Sequence, residues 1–99
     1  VSTKLDEAAA KLNGKFPLGH VMGTQGALTL DPVSVGRAML RFVQGDWGNV
    51  PSEDAEANAD ALVHGERVMG SYYDSAGVEF WIITEADRSA TTVLLPEEY

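Results

Sequence analysis

The residue types best suited to acid–base work stand together in one turn, Thr84-Glu85-Ala86-Asp87-Arg88-Ser89. Glu85 and Asp87 would serve as an acid/base pair, with Arg88 as the cation that binds an anion. The same residues have a local use, in which Asp87 and Ser89 hydrogen-bond backbone amides and Arg88 pairs with a nearby carboxylate. Local use is the commoner one for such residues in turns. Asp46-Trp47, inside the turn Gly45-Asp46-Trp47-Gly48-Asn49, is a second candidate. It reads as an aromatic ligand grip, or as a Trp buried against the core beside an Asp that caps a helix. Asn58 is a poor helix former in an otherwise good helix sequence, which suggests a reach to a backbone group across a packing interface, with binding secondary.

Other chemistries find little support. His20 and His64 lie far apart without an HExxH-type companion, so no metal ligand set is expected. The chain has no cysteine, which removes thiolate nucleophiles, disulfides and cysteine-held metals. No GxxxxGK[ST], GxGxxG or GxSxG pattern occurs, and the glycines at 14, 19, 23 and 26 follow no regular spacing. No catalytic residue is assigned and no cofactor is expected.

The elements that must position these residues are read from periodicity and punctuation. Residues 2–13 predict a helix capped by Ser2 or Thr3, with a stripe of Leu5, Ala8, Ala9 and Leu12 and a stop at Asn13-Gly14. The glycine-rich stretch 14–26 predicts loop or a short strand around His20-Val21-Met22. Thr24 is placed to cap a brief helical turn through Ala27 and Leu28, ending at Asp31-Pro32. A helix over 33–44 opens on Pro32 and closes at Gly45, with Val35, Ala38, Met39 and Phe42 on one side and Arg37 and Arg41 on the other. Ser52 reads as the N-cap of a helix over 52–64 that Gly65 ends. On it Glu53, Glu56 and Asp60 share one stripe, and Ala55, Ala59 and Leu62 the opposite one.

Strands are expected over 66–73, 78–84 and 91–95, with Asp74-Ser75-Ala76-Gly77 as the hairpin turn. Phe80-Trp81-Ile82-Ile83 is apolar at every position, so its strand has packing on both faces and belongs in the middle of a sheet. The fold class is therefore α+β: N-terminal helices packed on a C-terminal three-stranded antiparallel β-meander, one domain over 1–99. Helices cover one face of the sheet. The other face needs cover from the His20-Val21-Met22 region or from a second subunit, which makes a homodimer one of the two expectations.

Charge limits the partners. Fifteen acidic against seven basic side chains give a net charge of −8, which argues against direct nucleic-acid binding and against an anionic membrane surface. No apolar run approaches the ~20 residues that span a bilayer, and residues 1–12 lack the apolar core of a secretory signal. A cytoplasmic protein is expected. The chain opens on Val1, which suggests a trimmed or excised one.

Gly45-Asp46-Trp47-Gly48, Glu53-Asp54, Asn58, Ala61-Leu62, Gly65, Arg67 and Ser71-Tyr72 form a series. Gly77, Trp81-Ile82-Ile83-Thr84-Glu85-Ala86-Asp87-Arg88-Ser89, Thr91-Thr92 and Leu94-Leu95-Pro96-Glu97-Glu98-Tyr99 complete it. In this series the chain resembles a family of small "plasmid-related" proteins of bacterial plasmids and integrated mobile elements. The likeness is dense over the second half and looser over Leu18-Gly19 and Gly26-Ala27-Leu28, and the chain departs from the pattern over Thr24 to Leu30. The resemblance implies an accessory protein of a mobile element and carries no established activity. The expected function is a small acidic, non-catalytic interaction protein with an unknown protein partner. One alternative is a nucleic-acid mimic: Glu53, Glu56 and Asp60 repeat at roughly 5–6 Å along the helix, near the ~7 Å of two steps along a DNA strand. A further alternative is a small hydrolase-like enzyme using Glu85 and Asp87.

Overall fold

The computed structural model describes residues 14–99, so the helix expected over 2–13 lies outside the described residues. The elements in order are β1 (His20–Gly23), α1 (Pro32–Val43), α2 (Ser52–His64), β2 (Val68–Tyr73), β3 (Glu79–Thr84) and β4 (Ala90–Leu94). Short 3-10 turns stand at Gly26–Thr29 and Pro96–Glu98. The fold is α+β, with two helices among the described residues. The sheet is not a three-stranded meander: it has four strands in the order β1-β4-β3-β2. β4-β3-β2 is antiparallel as expected, and β1 joins it parallel to β4, with Val21 opposite Thr91.

Side-chain alternation sorts the sheet into two faces. Val68, Tyr72, Phe80, Ile82 and Val93 are buried with Met39 and Phe42 of α1 and with Leu18 in one core. Burying a large apolar side chain in this way is worth about 1.5–3 kcal/mol each. Thr84 and Thr91 are also fully buried on this face. The Thr91 hydroxyl donates to the Leu18 carbonyl at 2.7 Å, so Thr84 donates to Thr91, also at 2.7 Å. That chain of bonds fastens the segment before β1 to β4 with no polar atom unpaired. On the opposite face Tyr99 meets Trp81 edge-on at 5.6 Å, and Arg67 lies over Tyr99. Cover for Trp81 thus comes from the residues after β4, while β1 extends the sheet instead of lying across it.

Local chemistry explains the helix ends, with two corrections. Asp31 caps α1, its carboxylate accepting from the Ser34 N–H at 3.1 Å. Ser52 does not cap α2: Pro51 holds the N-cap position, Ser52 is the first helical residue, and no side chain caps the end. Proline at N-cap leaves Glu53 and Asp54 to favour the first turn by charge alone. Gly65 closes the helix in the left-handed conformation, as expected. The packed face of α2 is centred on Asn58 and Ala61, both buried, with Ala59 exposed. Ala55 and Leu62 of the expected stripe pack against the core beside them, and Asn58 takes an inward position because it has backbone to bind, which leaves only Ala59 of that stripe outside.

One sheet edge is closed by the chain itself. Outward from β2, the Ser71 N–H donates to the Trp47 carbonyl at 3.0 Å and the Ser71 carbonyl accepts from the Asn49 N–H at 2.7 Å. Gly48 sits between them at φ +72°, and a Cβ there would lie 2.0 Å from the Ser71 oxygen. Only glycine fits so close an approach.

Candidate functional site

The turn 84–89 spends its polar groups on its own shape. Asp87 accepts from the Ser89 N–H at 3.0 Å and from the Ser89 hydroxyl at 2.6 Å. The Ser89 side chain, then its N–H, hold the Asp87 carboxyl below the usual carboxylate range. Arg88 adopts φ 61°, an unusual left-handed conformation for a residue with a Cβ. Its guanidinium turns back over the Phe16 ring and donates to the carbonyls of Glu66, Glu85 and Ala61. Arg88 therefore ties its own turn to the C-terminal end of α2, through Ala61 in the last turn of the helix and Glu66 just beyond it, where a cation is favoured. Glu85 is exposed. The turn brings Asp87 to Ser89 and Arg88 to backbone; among the described residues no hydrogen bond joins the Glu85 and Asp87 side chains to a shared group.

Asp46 pairs with Arg41 through two hydrogen bonds, 2.7 and 3.2 Å, and accepts from the Gly48 N–H at 3.1 Å. Arg41 first, aided by Gly48, lowers the Asp46 pKa. Both side chains are half exposed, so the pair is worth about 1 kcal/mol at most. Trp47 is buried, stacked on Phe16 at 6.1 Å and edge-on to Phe42 at 5.5 Å. It is a core residue and grips no open site. Tyr72 donates to the Asp46 carbonyl at 2.7 Å, and burial pushes its hydroxyl pKa far above the ordinary value. It stays a neutral donor at any physiological pH.

Asn58 is a backbone clamp. Its Nδ2 donates to the Met69 carbonyl at 2.7 Å, and the Met69 N–H donates to its Oδ1 at 3.1 Å. Together with Trp47 and Asn49 this occupies the outer edge of β2 at Met69 and Ser71, covering what would otherwise be a pairing edge. Glu53, Glu56 and Asp60 are exposed along α2. Arg37 and Arg41 do not neutralise them: among the described residues the salt bridge is Arg41–Asp46.

Sequence reading missed three openings. A polar cleft of about 310 Å³ lies beside Arg37, Tyr73, Asp74 and Ser75, and a neighbouring one of about 360 Å³ reaches Arg41, Asn49 and Tyr73. Arg37 and Arg41 bring two positive charges there, but Asp46 and Asp74 bring two negative ones. The Asp74 carboxylate is engaged by the N–H groups of Val78, Ala76 and Asp31. The larger opening, about 400 Å³, is apolar and runs beside β1, lined by Val21, Gly23, Leu28, Pro32, Val35 and Gly36. Met22 and Leu28 in its wall are exposed. The only sequence signal for it was a glycine in the middle of a helix, Gly36.

Among the described residues no group of three His, Cys, Asp or Glu is placed to hold a metal, and no helix is long and apolar enough to cross a membrane. Comparison with protein-family models, curated proteins and solved structures found no match to the chain.

Proposed function

We propose that the protein is a small acidic interaction module, an accessory protein of a plasmid or mobile element, which acts by binding a partner protein and carries out no catalysis. The observation that carries this reading is the apolar cleft beside β1, open to solvent and lined in part by the exposed side chains of Met22 and Leu28. Openings of this size and lining are where ligands and partner side chains bind. In contrast, Asp46, Asn58, Asp87 and Arg88 are each engaged in holding the chain's own backbone or a neighbouring side chain. The genetic setting rests on the family resemblance of the second half of the chain. The test is a pull-down from host cells with the intact protein and with Glu85→Gln/Asp87→Asn. The same partner is expected with both. Failure to recover any partner, together with a turnover that the double variant loses while its circular dichroism is unchanged, would overturn the reading.

One observation favours mimicry of nucleic acid as the second reading: Glu53, Glu56 and Asp60 are exposed and enter no salt bridge among the described residues. Competition at low salt, with a host nuclease or repressor held on DNA, tests it. Displacement must vanish in Glu53→Gln/Glu56→Gln/Asp60→Asn. Displacement that survives those changes refutes it.

A further inference from the structure

The two edges of the sheet are finished differently. At β2 the outward backbone groups of Met69 and Ser71 are taken by Asn58, Trp47 and Asn49. At β1 the His20 and Thr24 N–H groups donate to the Ser89 and Val93 carbonyls, so even-numbered residues face β4. Val21 and Gly23 consequently turn their N–H and C=O groups away from the sheet, a strand-pairing template of the kind other chains add to. Among the described residues none hydrogen-bonds those groups. The apolar cleft opens along the same edge, with Val21 and Gly23 in its wall.

Gly36 adds a second, independent sign. It stands inside α1, where glycine is less favourable than alanine, and a Cβ built on it meets nothing within 4 Å. The chain's own packing gives no reason for glycine there. Its position in the cleft wall does, because a bare backbone deepens the space for an incoming side chain.

Charge selects the occupant. The cleft wall has no charged residue, but carboxylates flank it. Asp31 lies between Leu30 and Pro32 of the wall, and Glu98 accepts from Thr24 and Gly26 beside it. Hydrogen bonds, from Ser34 first for Asp31 and from Thr24 first for Glu98, keep both ionised well into acid. Arg37, next to Gly36, opens onto the polar cleft instead. A second copy of the chain would bring another −8 to this edge, whereas basic flanks on a partner are attracted.

We infer that β1 is the docking edge for an extended, basic-flanked segment of a partner protein, which adds as a fifth strand beside Val21 and Gly23 and sets an apolar side chain over Gly36. This rests on the reading of the protein as an interaction module and specifies the surface and the partner's chemistry.

The test uses the full chain and a labelled peptide, Lys-Val-Thr-Val-Thr-Val-Lys, followed by fluorescence anisotropy at low salt. Saturable binding is expected, with slowed amide exchange at Val21 and Gly23. Binding should weaken about tenfold or more in Gly36→Leu, which fills the cleft, and about tenfold with glutamate in place of both lysines. Methylating alternate peptide nitrogens should abolish binding to the unaltered protein, a control independent of any variant's folding. No saturable binding up to about 1 mM, or binding indifferent to both Gly36→Leu and nitrogen methylation, overturns the proposal. A free protein that is dimeric with Val21 and Gly23 already protected also overturns it, since a second copy then holds the edge. If host cells yield a partner that Gly36→Leu still retains, the docking edge is wrong and the interaction reading stands.

Discussion

Replacing Asn58 by alanine isolates the clamp on β2. The change removes two hydrogen bonds to Met69, of 2.7 and 3.1 Å, from a residue that is only 7% exposed. Each such bond contributes about 1 kcal/mol net, and each partner left unpaired away from water costs about 1–3 kcal/mol. Met69 is half-buried, so water reaches part of what is released. Alanine also returns up to about 0.7 kcal/mol of helix propensity. The balance is a loss of about 2–4 kcal/mol, a large share of the ~5–15 kcal/mol that holds a domain together. Urea denaturation should show the midpoint falling by roughly 1–2 M with the slope unchanged, for slopes of about 1–3 kcal/mol/M. Exchange of the Met69 amide should speed up in the folded state. Asn58→Asp is the informative companion: it still accepts from the Met69 N–H but places a carboxylate against the Met69 carbonyl, so it should be no better than alanine. A loss below about 0.5 kcal/mol for Asn58→Ala, with the Met69 amide as protected as before, would refute the clamp.

Arg88 and the acid range give two more tests. Arg88→Gly relieves the φ of 61° but removes hydrogen bonds to three carbonyls, so it should destabilise by about 1–3 kcal/mol in urea; Arg88→Ala should be worse by about 1 kcal/mol. If glycine stabilises the protein, the guanidinium is not holding α2. Asp31, Asp46, Asp74, Asp87 and Glu98 all have pKa values lowered by hydrogen bonds from ordinary values of 3.8 or 4.5. Their contribution is thus complete above those ordinary values and lost as pH falls through the lower folded ones. Thermal melts should be level near neutrality and drop steadily below about pH 4. A melting temperature unchanged down to pH 2 would contradict these bonds.

What could be read in the sequence had a local signature. Phe80-Trp81-Ile82-Ile83 marked an interior strand, and β3 is flanked by β2 and β4. Asp74 to Gly77 marked a hairpin, and Asn58, out of place in its helix, marked a cross-interface bond. β1 was marked only as loop or a short strand around His20-Val21-Met22: four residues among glycines show no period, and the partner strand that settles their pairing is far along the chain. Ser52 carried a cap signature, but Pro51 is the residue held at the helix entry. The turn 84–89 was legible as polar residues in a turn. That Arg88 would fold back onto α2 was not, since three of its acceptors are backbone carbonyls, which every sequence has. The cleft left a single mark in the sequence, Gly36 inside α1, and is otherwise made of shape.

The pairing of β1 with β4 also sets an order of assembly. β2 and β3 meet across one tight turn, whereas Val21 finds Thr91 only after nearly the whole described chain has been gathered in between. Loop closure over that span costs roughly 2 kcal/mol more than over a hairpin. The β1–β4 ladder, the burial of Leu18 and the Leu18–Thr91 and Thr24–Glu98 bonds offset it. The first strand among the described residues thus waits on the last one for its only neighbour in the sheet. A nascent chain carries it as loose ribbon until β4 exists, and the cleft comes into being only at that final step.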